Sequence, residues 1–460
     1  NIENNPSPFY PPLYSILISV SYLAENMKIV YFIFKIINSL LSSLVIIPAY
    51  LISKEFLNEK QQLYVPILIS LLPSNFSFSN YILSETLFFP LFLFSTYYIY
   101  KSVKENTKKN NILAAVFISL SFLTKPIGIV LILIYFTIHI INKIILKEQL
   151  KIRNLLLGIL LIALIISPWI IRNSIHFGFS VYGILGGAAN DNINSISKYG
   201  DFFIFAILNW TILNIVALAL TSGVLLFLCS ILAFKYIKDK NSKLFIILIS
   251  LIITITLVIL ANNSLGPQPT DLPKFLNFLT GRPIIRYLDM LSPLIIVLGT
   301  IGLNNYKENP NKKFLKTILI LNIPLFLIGS QLLVYPLLPI NNLSLSFIGI
   351  FKILIDFLIN NTLSTESPFN YLSFFVMLSI FILVPLLTLL INKIDFKKIF
   401  YLTLILFLLT NTINFSISYY RANSWSNNEQ FKIGLWLNDN ADKNSNILID
   451  KNYKGSPFTN

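Results

Sequence analysis

Long apolar segments alternate with short polar connections along almost the whole chain. Segments of about 20 apolar residues are long enough to cross the hydrocarbon core of a bilayer as helices. Because only helices and closed barrels satisfy every backbone hydrogen bond in lipid, the pattern predicts an all-α polytopic membrane protein. Twelve predicted spans lie at about residues 28–53, 62–82, 85–101, 111–124, 127–143, 154–171, 209–235, 243–262, 287–303, 315–336, 371–391 and 398–419.

The connections between these segments fall into two sets. Six short ones hold 21 of the 35 Lys and Arg residues: KEFLNEKQ, KSVKENTKKN, KIILKEQLKIR, KYIKDKNSK, NNYKENPNKKFLK and NKIDFKK. Most of the other positive charges are spread over five longer stretches: 1–28, 172–208, 263–286, 337–370 and 420–460. Positive charge in short connections marks the cytoplasmic side. We therefore predict that the long stretches and both ends of the chain face outside.

Composition narrows the classes of function. Charged residues make up 12% of the 460 positions, about half the share found in a typical soluble domain. The net charge of +15 follows from the same topology rule, so we expect contact with membrane lipid and no nucleic-acid partner. Cys229 is the single cysteine and lies in a predicted span, which excludes a disulfide framework and a cysteine-based metal site.

The predicted organisation has three parts. These are the end of an external loop (1–27), a transmembrane domain (28–419) and the start of an external α/β domain (420–460). Residues 13–23 are too short to span and predict a helix lying on the outer leaflet. In the last part, 430–437 predicts a helix and 447–450 a strand. Because the chain begins at Asn1 instead of a methionine and ends at KGSPFTN within a predicted folded segment, we expect a fragment at both ends.

Two charged residues lie at predicted outer turns between apolar spans. Glu85 in SETLFFP and Lys125 in LTKPIG are functional candidates because charge at this depth is costly. Glu85 is the candidate catalytic acid, and the alternative is an acid that stabilises a helix start. Lys125 is a candidate phosphate ligand, and the alternative is a side chain that reaches out to the lipid headgroups.

Arginines occupy two further predicted outer boundaries. Arg172 in SPWIIRN is a candidate phosphate ligand, although an interfacial anchor explains it equally well. Arg282 and Arg286 are four residues apart and, with Tyr287, can form a fork for phosphate. The alternative for Arg286 is an ion pair with Asp289 at a helix start.

Together these groups predict a carboxylate and several cations at the depth of lipid headgroups. Tyr10 joins them, since Pro11 and Pro12 place it just outside the membrane. Such a set can hold a lipid-linked phosphate: the cations stabilise the departing phosphate, and a carboxylate acts as general base on the acceptor hydroxyl.

Six motifs then resemble one known family in their order along the chain. They are FYPPLYSIL, YILSETLFFPLF, LTKPIGIVLILIY, SPWIIRN, RPIIRYLDMLSP and FKIGLWLNDNADKNSNILID. They are similar to the GT-C glycosyltransferases that use polyprenyl-phosphate sugars, in the protein mannosyltransferase and aminoarabinose transferase group. The resemblance implies a GT-C-like bundle with thirteen spans in the intact chain, twelve of them visible here.

The resemblance also implies roles for particular residues. The main catalytic acid lies in the first external loop and is expected upstream of this chain, so the fragment alone is expected to be inactive. Glu85 falls at the second acidic position of the family. Tyr10 stands where some relatives carry a phosphate-binding lysine, which leaves Lys125, Arg172 and Arg286 to share that task. Some relatives bind a divalent metal and others need none, so the cofactor is left open.

The predicted function is transfer of a sugar from a dolichyl or undecaprenyl phosphate to a glycan, lipid or protein acceptor on the external face. One alternative is an oligosaccharide polymerase or ligase, which uses a pyrophosphate-linked donor. Another is a polytopic transporter or lipid flippase. Transporters usually carry polar groups near the bilayer midplane and inverted repeats, whereas these candidates crowd one face.

Overall fold

A computed structural model describes most of the membrane domain. The described residues are 11–24, 26–145, 147, 151–178, 202–236, 239–265, 281, 283–334, 343–360, 371–426 and 436. Within them the secondary structure is helical, and no strand is present. This confirms the predicted all-α polytopic class. The strand predicted at 447–450, and the helix predicted at 430–437 except its residue 436, lie outside the described residues.

The described α-helices are numbered here in chain order. They are α1 Leu13–Ser19, α2 Met27–Ser43, α3 Ile46–Phe56, α4 Glu59–Ser70, α5 Pro73–Phe78, α6 Glu85–Lys104, α7 Lys108–Thr124, α8 Ile129–Ile145, α9 Ile152–Phe177, α10 Phe203–Thr221, α11 Val224–Tyr236, α12 Lys240–Ser264, α13 Ser292–Glu308, α14 Lys312–Gly329, α15 Ser346–Asn360, α16 Tyr371–Leu383 and α17 Phe396–Ser426. Short 3₁₀ helices occur at Val20–Leu23, Pro126–Gly128, Ile285–Tyr287, Asp289–Leu291, Ser330–Val334, Leu343–Leu345 and Val384–Asn392.

Eight helices in the described part are long and apolar enough to cross a bilayer. They cover Lys28–Phe56, Pro126–Ile144, Ile152–His176, Phe203–Thr221, Lys240–Ser264, Ile285–Glu308, Lys312–Leu333 and Phe396–Ile417. Other predicted spans form shorter or more polar helices: the predicted span 62–82 is divided between α4 and α5, and α7 has 17 residues. The count of twelve stays a prediction.

Two predicted segments differ from the structure. The predicted span 209–235 is two helices, α10 and α11, because Gly223 has a φ of 84°, a conformation that suits glycine. The predicted external loop 337–370 contains α15, an apolar helix of 15 residues. The predicted interfacial segment 13–23 is helical as expected, with α1 continuing into a 3₁₀ turn.

The described parts of the six basic connections lie at one end of the bundle. Five contacts join them, or residues next to them: Glu55 with Lys101, Gln61 with Asn304, Asn106 with Asn154, Tyr236 with Tyr306, and Lys307 with Asn392. The chain therefore returns to this end after each excursion, as the charge pattern predicts. We call it the basic end. Helix α6 leads from Glu85 to Lys104 at the basic end over about 30 Å.

The core depends on close backbone contact between α11 and α13. A Cβ atom on Gly299 would lie 2.2 Å from the Leu226 carbonyl oxygen, and one on Gly302 would lie 2.1 Å from that of Cys229. Small residues allow helices to approach this closely in membranes. The contact fixes α13, and with it the turn at 285–291 that precedes α13.

Candidate functional site

The first residue of α6 supplies the carboxylate of the site. Glu85 is 2% exposed, and it lies in the first turn, where a negative charge is stabilised by the helix dipole. The Phe88 amide donates to the Ser84 carbonyl at 2.9 Å, which closes the first turn around this residue. Glu85 is therefore an acid at a helix start, as in the alternative interpretation of the sequence. That interpretation does not include the contacts of the Glu85 carboxylate with other elements.

Lys125 is directed at Glu85 by the proline that follows it. Helix α7 ends at Thr124, and Lys125 is extended, with φ −154° and ψ 132°, because a residue before proline avoids the helical region. Its Nζ atom lies 2.5 Å from Glu85 Oε1, and its side chain is 8% exposed. Lys125 therefore does not reach out to lipid headgroups; it forms a buried ion pair.

A third element brings a second cation and an aromatic ring. In the 3₁₀ turn before α13, Arg286 Nε lies 3.8 Å from Glu85 Oε1, and Lys125 Nζ lies 3.9 Å from the centre of the Tyr287 ring. Cation–π contact of this kind is worth about 2 kcal/mol when the cation is desolvated. Arg286 keeps 43% of its side chain exposed, so it is more accessible than Glu85 and Lys125.

We call Glu85, Lys125, Arg286 and Tyr287 the ion cluster. It lies at the end of α6 opposite the basic end. One carboxylate faces two cations, so the four side chains of the cluster carry one formal positive charge in total. A buried ion pair is a poor source of stability because desolvation offsets the attraction. Its retention here is consistent with a functional role, which burial and pairing alone do not specify.

Tyr14 and Asn38, which the sequence did not single out, support the start of α6. The buried Tyr14 hydroxyl donates to Asn38 Oδ1 at 2.9 Å, and Thr86 Oγ1 approaches the same oxygen at 3.3 Å. Asn38 Nδ2 donates to the Tyr81 carbonyl at 2.8 Å. The PPLY motif therefore reaches the residue next to Glu85 through Tyr14. A polar Asn38 in the middle of an apolar predicted span was the available signal.

Asp289 differs from its sequence-based interpretation. The expected alternative was an ion pair with Arg286, but Arg286 faces Glu85 instead. The Asp289 carboxylate is 1% exposed, and neither oxygen has a hydrogen-bond partner of standard geometry. The Ser344 hydroxyl lies near it and is likewise buried without a hydrogen-bond partner of standard geometry. Asp289 is thus a buried carboxylate beside the ion cluster, whereas the sequence singled it out only as a partner for Arg286.

Of the three remaining candidates, Arg172 is described and does not contact the ion cluster. Arg172 Nη1 donates to Asn173 Oδ1 at 2.7 Å, and its guanidinium lies 5.1 Å from the Trp169 ring centre. Its contacts therefore stay within α9. Tyr10 and Arg282 lie outside the described residues. Among the described residues, no three His, Cys, Asp or Glu side chains come together in a group that could hold a metal.

The fold and the site together define a polytopic helical membrane protein with a buried ion cluster at one end of its bundle. Residues 10–171 match the model of a family described as dolichyl-phosphate-mannose-protein mannosyltransferase. This match supports a GT-C polytopic glycosyltransferase, the class that the motifs resemble. The matched range includes Glu85 and Lys125 and ends before Arg286. Comparisons with curated proteins and with solved structures gave no match.

Proposed function

We propose that this protein transfers a sugar from a polyprenyl phosphate to an acceptor at the face of the membrane where the ion cluster lies. The observation that carries the proposal is the meeting of Glu85, Lys125 and Arg286 from three separate elements. The family described by the matching model acts with dolichyl-phosphate mannose. For this chain we propose a dolichyl or undecaprenyl phosphate sugar, with the face predicted to be external.

The two cations are proposed to bind the donor phosphate. Transfer breaks the bond between the sugar carbon and the phosphate oxygen, so negative charge develops on that oxygen. Fixed cations stabilise this charge without reorganising at the moment of reaction. Lys125 offers a buried point charge, whereas Arg286 offers a partly exposed guanidinium that can contact two phosphate oxygens. Their common carboxylate partner keeps them on one side of the donor.

Glu85 is proposed to position these cations. Its Oε1 atom is engaged by Lys125 at 2.5 Å, so this oxygen is poorly suited to remove a proton from an acceptor. The general base is therefore proposed to be a different carboxylate. The family resemblance implies an acid in the first external loop for that step. Glu85→Gln should then weaken donor binding, because the cations lose their common partner, and should leave the pH profile of transfer unchanged.

The test uses membranes that contain the intact gene product with this chain. Labelled sugar on dolichyl phosphate, undecaprenyl phosphate or the corresponding pyrophosphates is supplied, and transfer and released lipid are measured. We expect transfer from a monophosphate donor and a loss of at least tenfold for Lys125→Met and for Arg286→Ala. Lys104→Met, at the other end of α6, is the matched control and should keep its activity.

Three other outcomes of this test would favour an alternative function or contradict the proposed site. Transfer from the pyrophosphate donors alone would indicate an oligosaccharide polymerase or ligase. Substrate uptake into proteoliposomes without any transfer would indicate a transporter or flippase. Activity retained by Lys125→Met and Arg286→Ala together would contradict the proposed phosphate site.

A further inference from the structure

We infer that a groove at the basic end, between the start of α7 and the outward face of α9, binds the headgroup and one acyl chain of an anionic phospholipid. The groove has a volume of about 570 Å³ and includes Lys108, Arg153, Leu156, Leu160 and Ala163 in its lining. It is separate from the ion cluster, which lies at the other end of the bundle. The inference does not depend on the proposed function.

The two basic side chains in the groove differ from the neighbouring basic residues in their ion pairing. Lys101 and Lys104 both pair with Glu55, at 3.0 and 2.8 Å. In the described part of the chain, Lys108 and Arg153 form no ion pair, and both are exposed. Among the described residues that line the groove, none is acidic. Two exposed cations in such a lining are complementary to one anionic headgroup, since cations near a membrane surface attract anionic lipids.

The shape of the groove matches the length of a lipid tail. Arg153, Leu156, Leu160 and Ala163 follow one another at helical spacing along α9, which places them on one stripe. Ten residues of helix rise about 15 Å, which equals half of a hydrocarbon core about 30 Å thick. Leu156 is 58% and Leu160 66% exposed. The two cations therefore lie at one end of an apolar stripe. The length of this stripe equals the thickness of the hydrocarbon region of one leaflet.

The wall of the groove is held in place by close packing behind it. A Cβ atom on Gly158 would lie 2.1 Å from the Tyr135 hydroxyl oxygen, and that hydroxyl donates to Asn111 Oδ1 at 2.6 Å. At the charged end, Asn154 Nδ2 donates to the Asn106 carbonyl at 2.7 Å. A groove that keeps its shape without ligand loses less entropy on binding.

An anionic phospholipid fits these features better than a soluble anion or a protein segment. A soluble anion would leave the leucine stripe unused. A peptide or a second copy of the chain would need an acidic residue facing the two cations as well as an apolar face. A phospholipid of the bilayer supplies the charge and the tail in one molecule, and it is already present at the required depth.

The test measures lipid retention by the purified full chain with native mass spectrometry. Palmitoyl-oleoyl phosphatidylglycerol and palmitoyl-oleoyl phosphatidylcholine are added separately. We expect the wild type to retain phosphatidylglycerol more strongly. Lys108→Ala with Arg153→Ala should reduce this retention roughly 25-fold, because each cation near an anionic lipid contributes about fivefold. Lys312→Ala with Lys313→Ala removes the same charge from another exposed part of the basic end and should have no effect.

Three results would overturn the inference. The first is equal retention of the two lipids, or equal losses in the two double variants. The second is displacement of phosphatidylglycerol by soluble glycerol 3-phosphate, which would indicate a phosphate site with no use for the tail. The third is a dimer that the groove variant abolishes, which would assign the groove to a second copy. Unchanged melting temperature in lipid-free detergent shows that the variants are folded.

Discussion

Both ends of α6 carry a carboxylate that faces two cations, but in different surroundings. At its start, the Glu85 carboxylate faces Lys125 and Arg286; at its end, Lys101 and Lys104 share the Glu55 carboxylate. Both arrangements suit the helix dipole, which favours an acid at the N-terminus and bases at the C-terminus. The surroundings differ: the Glu85 side chain is 3% exposed, whereas that of Glu55 is 17% exposed.

This difference separates a site from a structural contact. At the basic end, water and salt can replace a lost partner, so the ion pairs contribute little. At the start of α6 there is little water to solvate an abandoned charge, and breaking the pair leaves a buried ion. Glu105 also pairs with Lys101 at the basic end, so a charge there is more easily replaced than one in the ion cluster. The following changes test that contrast, beginning with the largest expected effect.

Lys125→Ala should have the largest effect on stability. The change leaves Glu85 buried beside Arg286 at 3.8 Å, and removal of one partner from a buried ion pair costs about 3–5 kcal/mol. Unfolding in SDS and lipid mixtures gives the free energy. Lys104→Ala is the control at the other end of the helix. A loss below 1 kcal/mol for Lys125→Ala would mean that water reaches Glu85 and that the two ends are alike.

A double-mutant cycle should separate the two ion pairs by their coupling energies. For Glu85→Gln with Lys125→Met we expect coupling of about 2–3 kcal/mol, in the upper range for residues in contact. For Glu55→Gln with Lys104→Met we expect less than about 1 kcal/mol, as for accessible pairs. The four free energies of unfolding for each pair provide the measurement. Equal coupling energies for the two pairs would contradict the claim that burial makes the Glu85–Lys125 pair the stronger one.

Tyr14→Phe should cost about 1 kcal/mol, because it removes one hydrogen bond to Asn38 and leaves the ring in place. Tyr22→Phe is the control: Tyr22 is 61% exposed, and the described structure gives its hydroxyl no hydrogen bond. The difference between the two free energies of unfolding measures how firmly the PPLY motif supports the start of α6. No difference would show that the motif and the ion cluster are independent.

Glu55→Gln should have the smallest effect, below about 1 kcal/mol at physiological salt. Because the pairs at the basic end are accessible, the loss should shrink further in 1 M salt, where the Debye length falls to about 3 Å. The Lys125→Ala loss should change little over the same salt range. A Glu55→Gln loss that is large and independent of salt would mean that the basic end is as dry as the ion cluster.

The sequence predicted the candidate residues better than their partners. Glu85 and Lys125 were recognised because each is a charge between apolar segments. Their pairing was not predicted, since they are 40 residues apart and helical periodicity links only neighbours on one helix. The same limit explains Arg286: its local partner by spacing was Asp289, but the fold turns it towards Glu85.

Other misses had a local signal that carried too little weight. Gly223 interrupts an apolar run, and a glycine there indicates a break, yet hydropathy alone joined α10 and α11 into one predicted span. In FYPPLY the sequence pattern singled out Tyr10. In the described part of the chain, Tyr14 of this motif is buried. Asn38, a polar residue within an apolar run, was the sequence signal for the hydrogen bonds that support the start of α6.

The most direct test of the account is the affinity of the purified chain for dolichyl phosphate in lipid nanodiscs. The wild type is compared with Glu85→Gln/Lys125→Met and with Glu55→Gln/Lys104→Met, which make the same chemical changes at the two ends of α6. Replacing both partners of an ion pair by neutral residues of similar size often leaves stability intact, so a change in affinity reports on the site. We predict binding at least tenfold weaker for the first pair and within twofold of wild type for the second. Equal affinities in all three proteins would contradict the ion cluster as the donor-phosphate site.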